Sequence, residues 1–131
     1  MRNYSMEHIG IAVEDPIAMG EWYRDVLGFK IKFAGRDDEK AVSFITDNNE
    51  SIILELGKLP QIDSLSKRLN HHLQFHIALE SDDPDLDKTI LIKNGATFNE
   101  KSPITREGDL LLTLNDPWGN CIQLAKRKNH I

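Results

Sequence analysis

The sequence predicts an α+β fold made of two βαβββ repeats, and three observations carry that prediction. The first is an internal repeat at an offset of 68 residues. His8-Ile9-Gly10-Ile11-Ala12-Val13-Glu14-Asp15-Pro16 lies over His76-Ile77-Ala78-Leu79-Glu80-Ser81-Asp82-Asp83-Pro84, with His, Ile, Asp and Pro identical. The same offset lays Ile53-Leu54-Glu55-Leu56 over Cys121-Ile122-Gln123-Leu124, and a repeat of this kind decides architecture before any single element does. The second is that each copy opens on an alternating apolar segment that runs into Asp-Pro, a helix cap followed by a residue suited to the first helical position. The third is that period-two patterning returns after each helix, as strands require.

Taken in order, residues 6–13 read as a strand. Asp15 caps a helix running from Ile17 to Leu27, with Ala18, Trp22 and Val26 at helical spacing. Gly28 suits the left-handed residue that closes it. Residues 29–33, 41–46 and 51–56 then read as strands, with Asp47-Asn48-Asn49-Glu50 turning between the last two. Residues 58–72 form a polar connector with a short helix expected at 63–69. In the second copy, residues 73–79 read as a strand, Asp83-Pro84 as a cap, and 85–94 as a helix stopped by Gly95. Strands follow near 97–101, at 109–114 and at 121–126, the last two joined by Asp116-Pro117-Trp118-Gly119-Asn120. The whole chain, 1–131, is expected to be one domain, with repeats at 5–57 and 73–126.

Composition excludes several functions. The chain has 131 residues, 16 basic against 21 acidic, for a net charge of −5. That balance disfavours nucleic acid or an anionic membrane as partner. No apolar run approaches the roughly 18 residues of a membrane span, and residues 1–7 lack the apolar core of a signal peptide. The expectation is a cytoplasmic protein. A single cysteine, Cys121, allows neither an internal disulfide nor a cysteine zinc cluster.

Strand alternation sorts the polar residues into faces. Ile9, Ile11 and Val13 share one face of the first strand, and His8, Gly10 and Ala12 the other. Glu55 and Gly57 oppose Leu54 and Leu56; His76 and Ala78 oppose Ile77 and Leu79; Gln123 and Ala125 oppose Ile122 and Leu124. Four strands thus each offer one coordinating side chain followed on its own face by glycine or alanine, a pattern that leaves room for a cavity. His8, Glu55, His76 and Gln123 are therefore the candidate metal ligands. Two imidazoles, a carboxylate and an amide oxygen suit a divalent transition metal, zinc or nickel first, with manganese, iron or cobalt as alternatives. Such an ion polarises a carbonyl or enolate oxygen, or activates water.

Any one of these residues alone has a simpler reading as a packed or solvated side chain; it is the shared offset and face that set them apart. Cys121 falls on the Gln123 side as a wall residue, with no activating base evident. It and Trp118, in the last turn, are weak candidates for substrate contact. Trp22 and Tyr23 read as packing. His71, His72 and His130 read as solvated, and Lys126-Arg127-Lys128 as a solvated basic end.

These motifs resemble the vicinal oxygen chelate superfamily, which includes glyoxalase I, bleomycin- and fosfomycin-resistance proteins, methylmalonyl-CoA epimerase and extradiol dioxygenases. The resemblance rests on His8-Ile-Gly-Ile-Ala-Val, Trp22-Tyr23-Arg24-Asp25-Val26-Leu27-Gly28-Phe29, Leu54-Glu55-Leu56, Phe75-His76-Ile77-Ala78-Leu79 and Asp116 through Leu124. It implies two βαβββ halves forming an incurved mixed sheet around a divalent metal, and a homodimer. Position by position, His8, Glu55 and His76 match family ligands. Gln123 occupies the eighth-strand place where the family usually has glutamate, and an amide cannot take a proton. Exchanging the two halves turns the epimerase pattern His, Gln, His, Glu into this chain's order, with Glu55 as ligand, base or both.

The activity this implies is that of a lactoylglutathione lyase type of enzyme: a lyase or isomerase in which Glu55 moves a proton beside a metal-chelated carbonyl of a small molecule or its thiol adduct. Arg24, Arg36 and Arg106 are the candidate clamps for an anionic thiol. The alternatives are another metalloenzyme of the family, such as an epimerase or dioxygenase, and a non-catalytic binder of a drug or small molecule of the bleomycin-resistance kind.

Overall fold

The computed structural model describes residues 1–131 except Ile104. The chain divides into two compact units, Met1–Arg68 and Leu69–Ile131. Each is built on one four-stranded mixed sheet, so the fold is α+β.

The first unit contains β1 (Ile9–Ala12), α1 (Pro16–Leu27), β2 (Lys30–Asp37), β3 (Lys40–Thr46), β4 (Ile53–Lys58) and the single turn α2 (Leu65–Arg68). Its strand order is β1-β4-β3-β2. β1 runs parallel to β4, and the other pairs are antiparallel. Asp15 caps α1 by accepting the Ala18 N–H at 3.0 Å, and Pro16 occupies the first turn, where its missing N–H costs nothing. Gly28 ends the helix at φ 73°, and its N–H donates to the Arg24 carbonyl. The helix buries Met19, Gly20 and Tyr23, while Ile11, Ile45, Leu54 and Leu56 fill the sheet's inner face. Each such aliphatic side chain contributes about 1.5–3 kcal/mol relative to exposure.

The second unit repeats this plan. A 3-10 turn (His72–Gln74) leads into β5 (His76–Glu80), α3 (Pro84–Lys93), β6 (Thr97–Lys101), β7 (Leu110–Asn115) and β8 (Cys121–Lys126). The order is β5-β8-β7-β6, again with the first and last strands parallel. Asp83 caps α3 through the Leu86 N–H at 3.1 Å. The repeat extends to defects: β2 bulges between Ile31 and Phe33, and β6 between Phe98 and Glu100. Leu91, Leu111, Leu112, Leu114, Ile122 and Leu124 form the core.

Several elements depart from the sequence reading. β1 spans Ile9–Ala12 rather than 6–13, so His8 immediately precedes it, and β4 spans Ile53–Lys58 rather than 51–56. β2 continues to Asp37, because Ala34 through Asp37 pair with Ser43 through Lys40 across the hairpin; the glycine and charges there mask a strand that its neighbour imposes. The expected strand 73–79 begins only at His76, since His71 caps a 3-10 turn instead. Its Nδ1 accepts the Leu73 N–H, while the Gln74 side chain accepts the His71 N–H.

Candidate metal and substrate site

The parallel pairing of β1 and β4 sets Gly10 beside Glu55. His8 lies two residues before Gly10 and so shares its face. As a result His8 Nε2 stands 3.5 Å from Glu55 Oε2. The other ring nitrogen, Nδ1, is hydrogen-bonded to the Glu7 carboxylate. A carboxylate only accepts, so that bond puts a proton on Nδ1, and it leaves Nε2 as the nitrogen that faces Glu55. It also raises the His8 pKa, with the nearby charges of Glu7 and then Glu55 adding to the effect. The Phe44 ring meets the imidazole edge-on, with centroids 6.1 Å apart.

This donor pair fits a divalent ion. Two ligand bonds of about 2.1 Å meeting at the tetrahedral angle hold their donors about 3.4 Å apart, close to the observed 3.5 Å. A carboxylate on the far nitrogen is the usual support for a ligating imidazole. Space is available as well: a side-chain carbon added at Gly10 or Gly57 would meet nothing within 4 Å. Glu55 and Gly57 line a cavity of about 470 Å³ together with Phe33, Arg36, Lys40 and Lys58.

In the second unit, Ala78 pairs with Gln123 just as Gly10 pairs with Glu55. His76, two residues before Ala78, shares a cavity wall with Gln123, and this cavity measures about 380 Å³. His76 is exposed and Gln123 buried. Within the first unit the structure therefore brings His8 and Glu55 together, and within the second it places His76 and Gln123 on one wall.

Cys121 and Trp118 are not on that wall. The Cys121 thiol is buried, and desolvation, with the Asp116 charge adding to it, pushes its pKa up to about 11. It is thus a neutral packing group at physiological pH. Trp118 is half-buried in the turn that Asp116 organises by accepting the Trp118 and Asn120 N–H groups, each at 2.9 Å.

Two residues read as solvated are not. His72 is only 18% exposed in its side chain, and its Nε2 lies 3.2 Å from Glu100 Oε2. With His71, whose ring stacks on His72 at 4.1 Å between centroids, these residues form a His/His/Glu group whose ligand atoms lie within 4.8 Å of one another. Here, however, His71 Nδ1 accepts the Leu73 N–H. The neutral ring then carries its proton on Nε2, so binding an ion through Nε2 requires breaking that cap. His8 differs, because its Nδ1 donates to Glu7 and Nε2 is the nitrogen that faces Glu55. The second corrected residue is Arg127. It is not part of a solvated end but donates from Nη1 to Asp109 Oδ2 at 2.9 Å, with its side chain 25% exposed. Among the clamp candidates, Arg24 pairs with neighbouring Asp25, Arg36 lines the first cavity and Arg106 the second. Glu7 escaped notice because a single charged residue beside a strand has no pattern to mark it, and Arg127 reads as solvated because its partner, Asp109, lies 18 residues away in sequence.

Each unit follows the plan βαβββ, with a histidine at or just before its first strand and Glu55 or Gln123 on its last. A family model described as the Glyoxalase/Bleomycin resistance protein/Dioxygenase superfamily matches residues 5–124, and the chain belongs to that superfamily. No curated protein matches it in sequence. Among solved structures, it is similar to a glyoxalase family protein from Bacillus cereus (TM-score 0.75, 15% identity, 95% of each chain covered). It is also similar to TnmS3, an antibiotic binding protein from Streptomyces sp. CB03234 (TM-score 0.67, 18% identity, 95% of this chain and 96% of that one). A glyoxalase I mutant from Zea mays aligns with a TM-score of 0.69 at 17% identity, covering 95% of this chain but 45% of the maize chain. At these identities the likeness is one of fold. Among the described residues, no helix is long and apolar enough to cross a membrane.

Proposed function

We propose that this protein is a divalent-metal-dependent lyase or isomerase of the glyoxalase I type, with zinc or nickel as the ion. His8 and Glu55 are metal ligands in this reading, as are their repeat equivalents His76 and Gln123. The observation that carries it is the 3.5 Å approach of His8 Nε2 to Glu55 Oε2, with His8 Nδ1 tied to Glu7. A bound divalent ion would supply Lewis acidity toward a carbonyl oxygen and its enediolate.

The protein's own part is proton transfer and orientation. Glu55 is the one carboxylate among the four candidate ligands, so it is the base that takes a proton from the carbon beside the carbonyl and returns it to the neighbouring carbon. His8 holds Glu55 in register, and Glu7 holds His8. Gln123 has no proton-accepting role and serves as an oxygen donor. The cavities beside Glu55 and Gln123 suit a small molecule or its thiol adduct. We read the chain as one domain of two repeats, residues 5–57 and 73–126, acting as a cytoplasmic homodimer; exposed Phe33 and Phe98 on outer strands support the dimer.

The test is turnover of the methylglyoxal–glutathione hemithioacetal by protein purified without chelator and then loaded with zinc or nickel. Metal bound near one equivalent, with turnover abolished in Glu55→Gln, supports the reading. A Glu55→Gln variant that keeps both metal and full turnover ends it. A second reading, a small-molecule binder without turnover, is favoured by one observation, the amide at Gln123. Metal-free protein that binds an apolar ligand would select it.

A further inference from the structure

We propose that the cavity of the second unit binds the anionic end of the substrate, a carboxylate or phosphate, through Arg106 and Arg127; this rests on the reading of His76 and Gln123 as ligands. The cavity wall carries His76 and Gln123 together with Ser102, Thr105, Arg106 and Arg127, and no carboxylate lines it among the described residues. The first unit's cavity differs, with Asp37 and Glu55 on its wall beside Arg36, Lys40 and Lys58. The repeats have therefore diverged in charge. The first cavity is mixed, whereas the described wall of the second presents two guanidiniums and no acid.

The two arginines are held in place from behind. Asp109, its side chain 1% exposed, accepts from Arg127 Nη1 at 2.9 Å, from Arg106 Nε at 3.3 Å and from the Lys128 N–H at 2.8 Å. Arg106 Nη2 also donates to the Asn129 carbonyl at 2.5 Å. One carboxylate behind two guanidiniums leaves one positive charge in excess. Each guanidinium has five N–H donors, so both keep donors beyond those spent on Asp109 and Asn129. The planar fork matches the paired oxygens of a carboxylate or phosphate, and fixing it in advance lowers the ordering cost of binding. Gln123 and Arg127 are four residues apart along the line of β8, roughly 13 Å at the usual strand rise. That span, shortened by the reach of both side chains, suits a small molecule with an oxygen-rich head at Gln123 and an acid group a few bonds away.

The test is calorimetric titration of the full chain with inorganic phosphate and, separately, malonate at low ionic strength, with metal content measured on the same preparations. Expected is binding of at least one anion. Its affinity should fall about tenfold or more in Arg106→Gln and in Arg127→Lys, which keeps the charge and loses the fork, and should weaken in about 0.5 M sodium chloride. Arg68→Gln, which removes an exposed partner of Asp63, should bind as the native chain does. Which anion binds tells carboxylate from phosphate. No binding by the native chain, or equal binding by both cavity variants, overturns the proposal. Should Arg127→Lys lose its melting transition, the half-exposed Arg106 carries the test alone. The metal measurement separates this proposal from the reading beneath it. Metal-free protein that binds anion through the arginines sinks only the lyase, whereas metal-loaded protein indifferent to both arginine variants sinks only the anion site.

Discussion

His8 and Glu55 face each other at 3.5 Å beside the parallel β1–β4 pair, and Glu7 holds the far side of the imidazole. The relationship joins Glu7 and His8, just before β1, to Glu55 within β4. Replacing Glu7 by Gln should therefore weaken divalent-metal binding by about 10–100-fold without removing a ligand. Competition titration against a metal-binding dye measures it, and unchanged affinity would remove Glu7 from the site.

The Asp109 carboxyl has its pKa lowered, first by Arg127, then by the Lys128 N–H and by Arg106. A group lowered in the folded state adds stability above its unfolded value and loses that contribution as pH falls through the folded one. Melting temperature should thus hold at neutral pH and drop as pH falls below about 3.8, the ordinary value. Asp109→Asn should melt lower than the native chain at pH 7 and flatten the acid dependence. Asp25→Asn, which removes an exposed pair, should change neither.

Gly20 packs α1 on β3 so closely that an added side-chain carbon would lie 2.5 Å from Ser43 Oγ. Alanine there gains about 1 kcal/mol of helix propensity against an overpacking cost of about 1–3 kcal/mol. Gly20→Ala should consequently lose up to about 2 kcal/mol by urea unfolding. Ser43 Oγ is buried with no hydrogen-bond partner among the described residues, so Ser43→Ala should be neutral or stabilising. The double variant should recover stability over Gly20→Ala alone.

The buried Cys121 thiol, with its pKa pushed up to about 11, should react slowly with iodoacetamide at pH 8 and quickly only after denaturation. Mass spectrometry over time settles this. Fast modification of the native protein would return Cys121 to consideration as a reactive group.

Local signals made most of the fold legible. Asp15-Pro16 and Asp83-Pro84 cap their helices as read, and β6 and β8 keep the expected bounds. The glycine stops also hold, at Gly28 itself and at Gly95 with φ 102° beyond the Asn94 cap. The 68-residue offset made the likeness of the two units legible, and the structure pairs Gly10 with Glu55 and Ala78 with Gln123 in the same way. Where the chain was misread, its neighbours prevailed. β2 extends because β3 lies against it, and His72 meets Glu100, 28 residues away, at 3.2 Å.

The sequence by itself determined the two βαβββ units and which side chains share a face, because capping, turns and alternation act over a few residues. Only the tertiary structure decided what those side chains meet. It turned His8 Nε2 toward Glu55, tied His71 Nδ1 to the Leu73 N–H, and gathered Arg106 and Arg127 on buried Asp109. Hydrogen-bond direction and ion pairing depend on atoms brought within a few ångströms, and for Arg127 and Asp109 that meant closing 18 residues of chain.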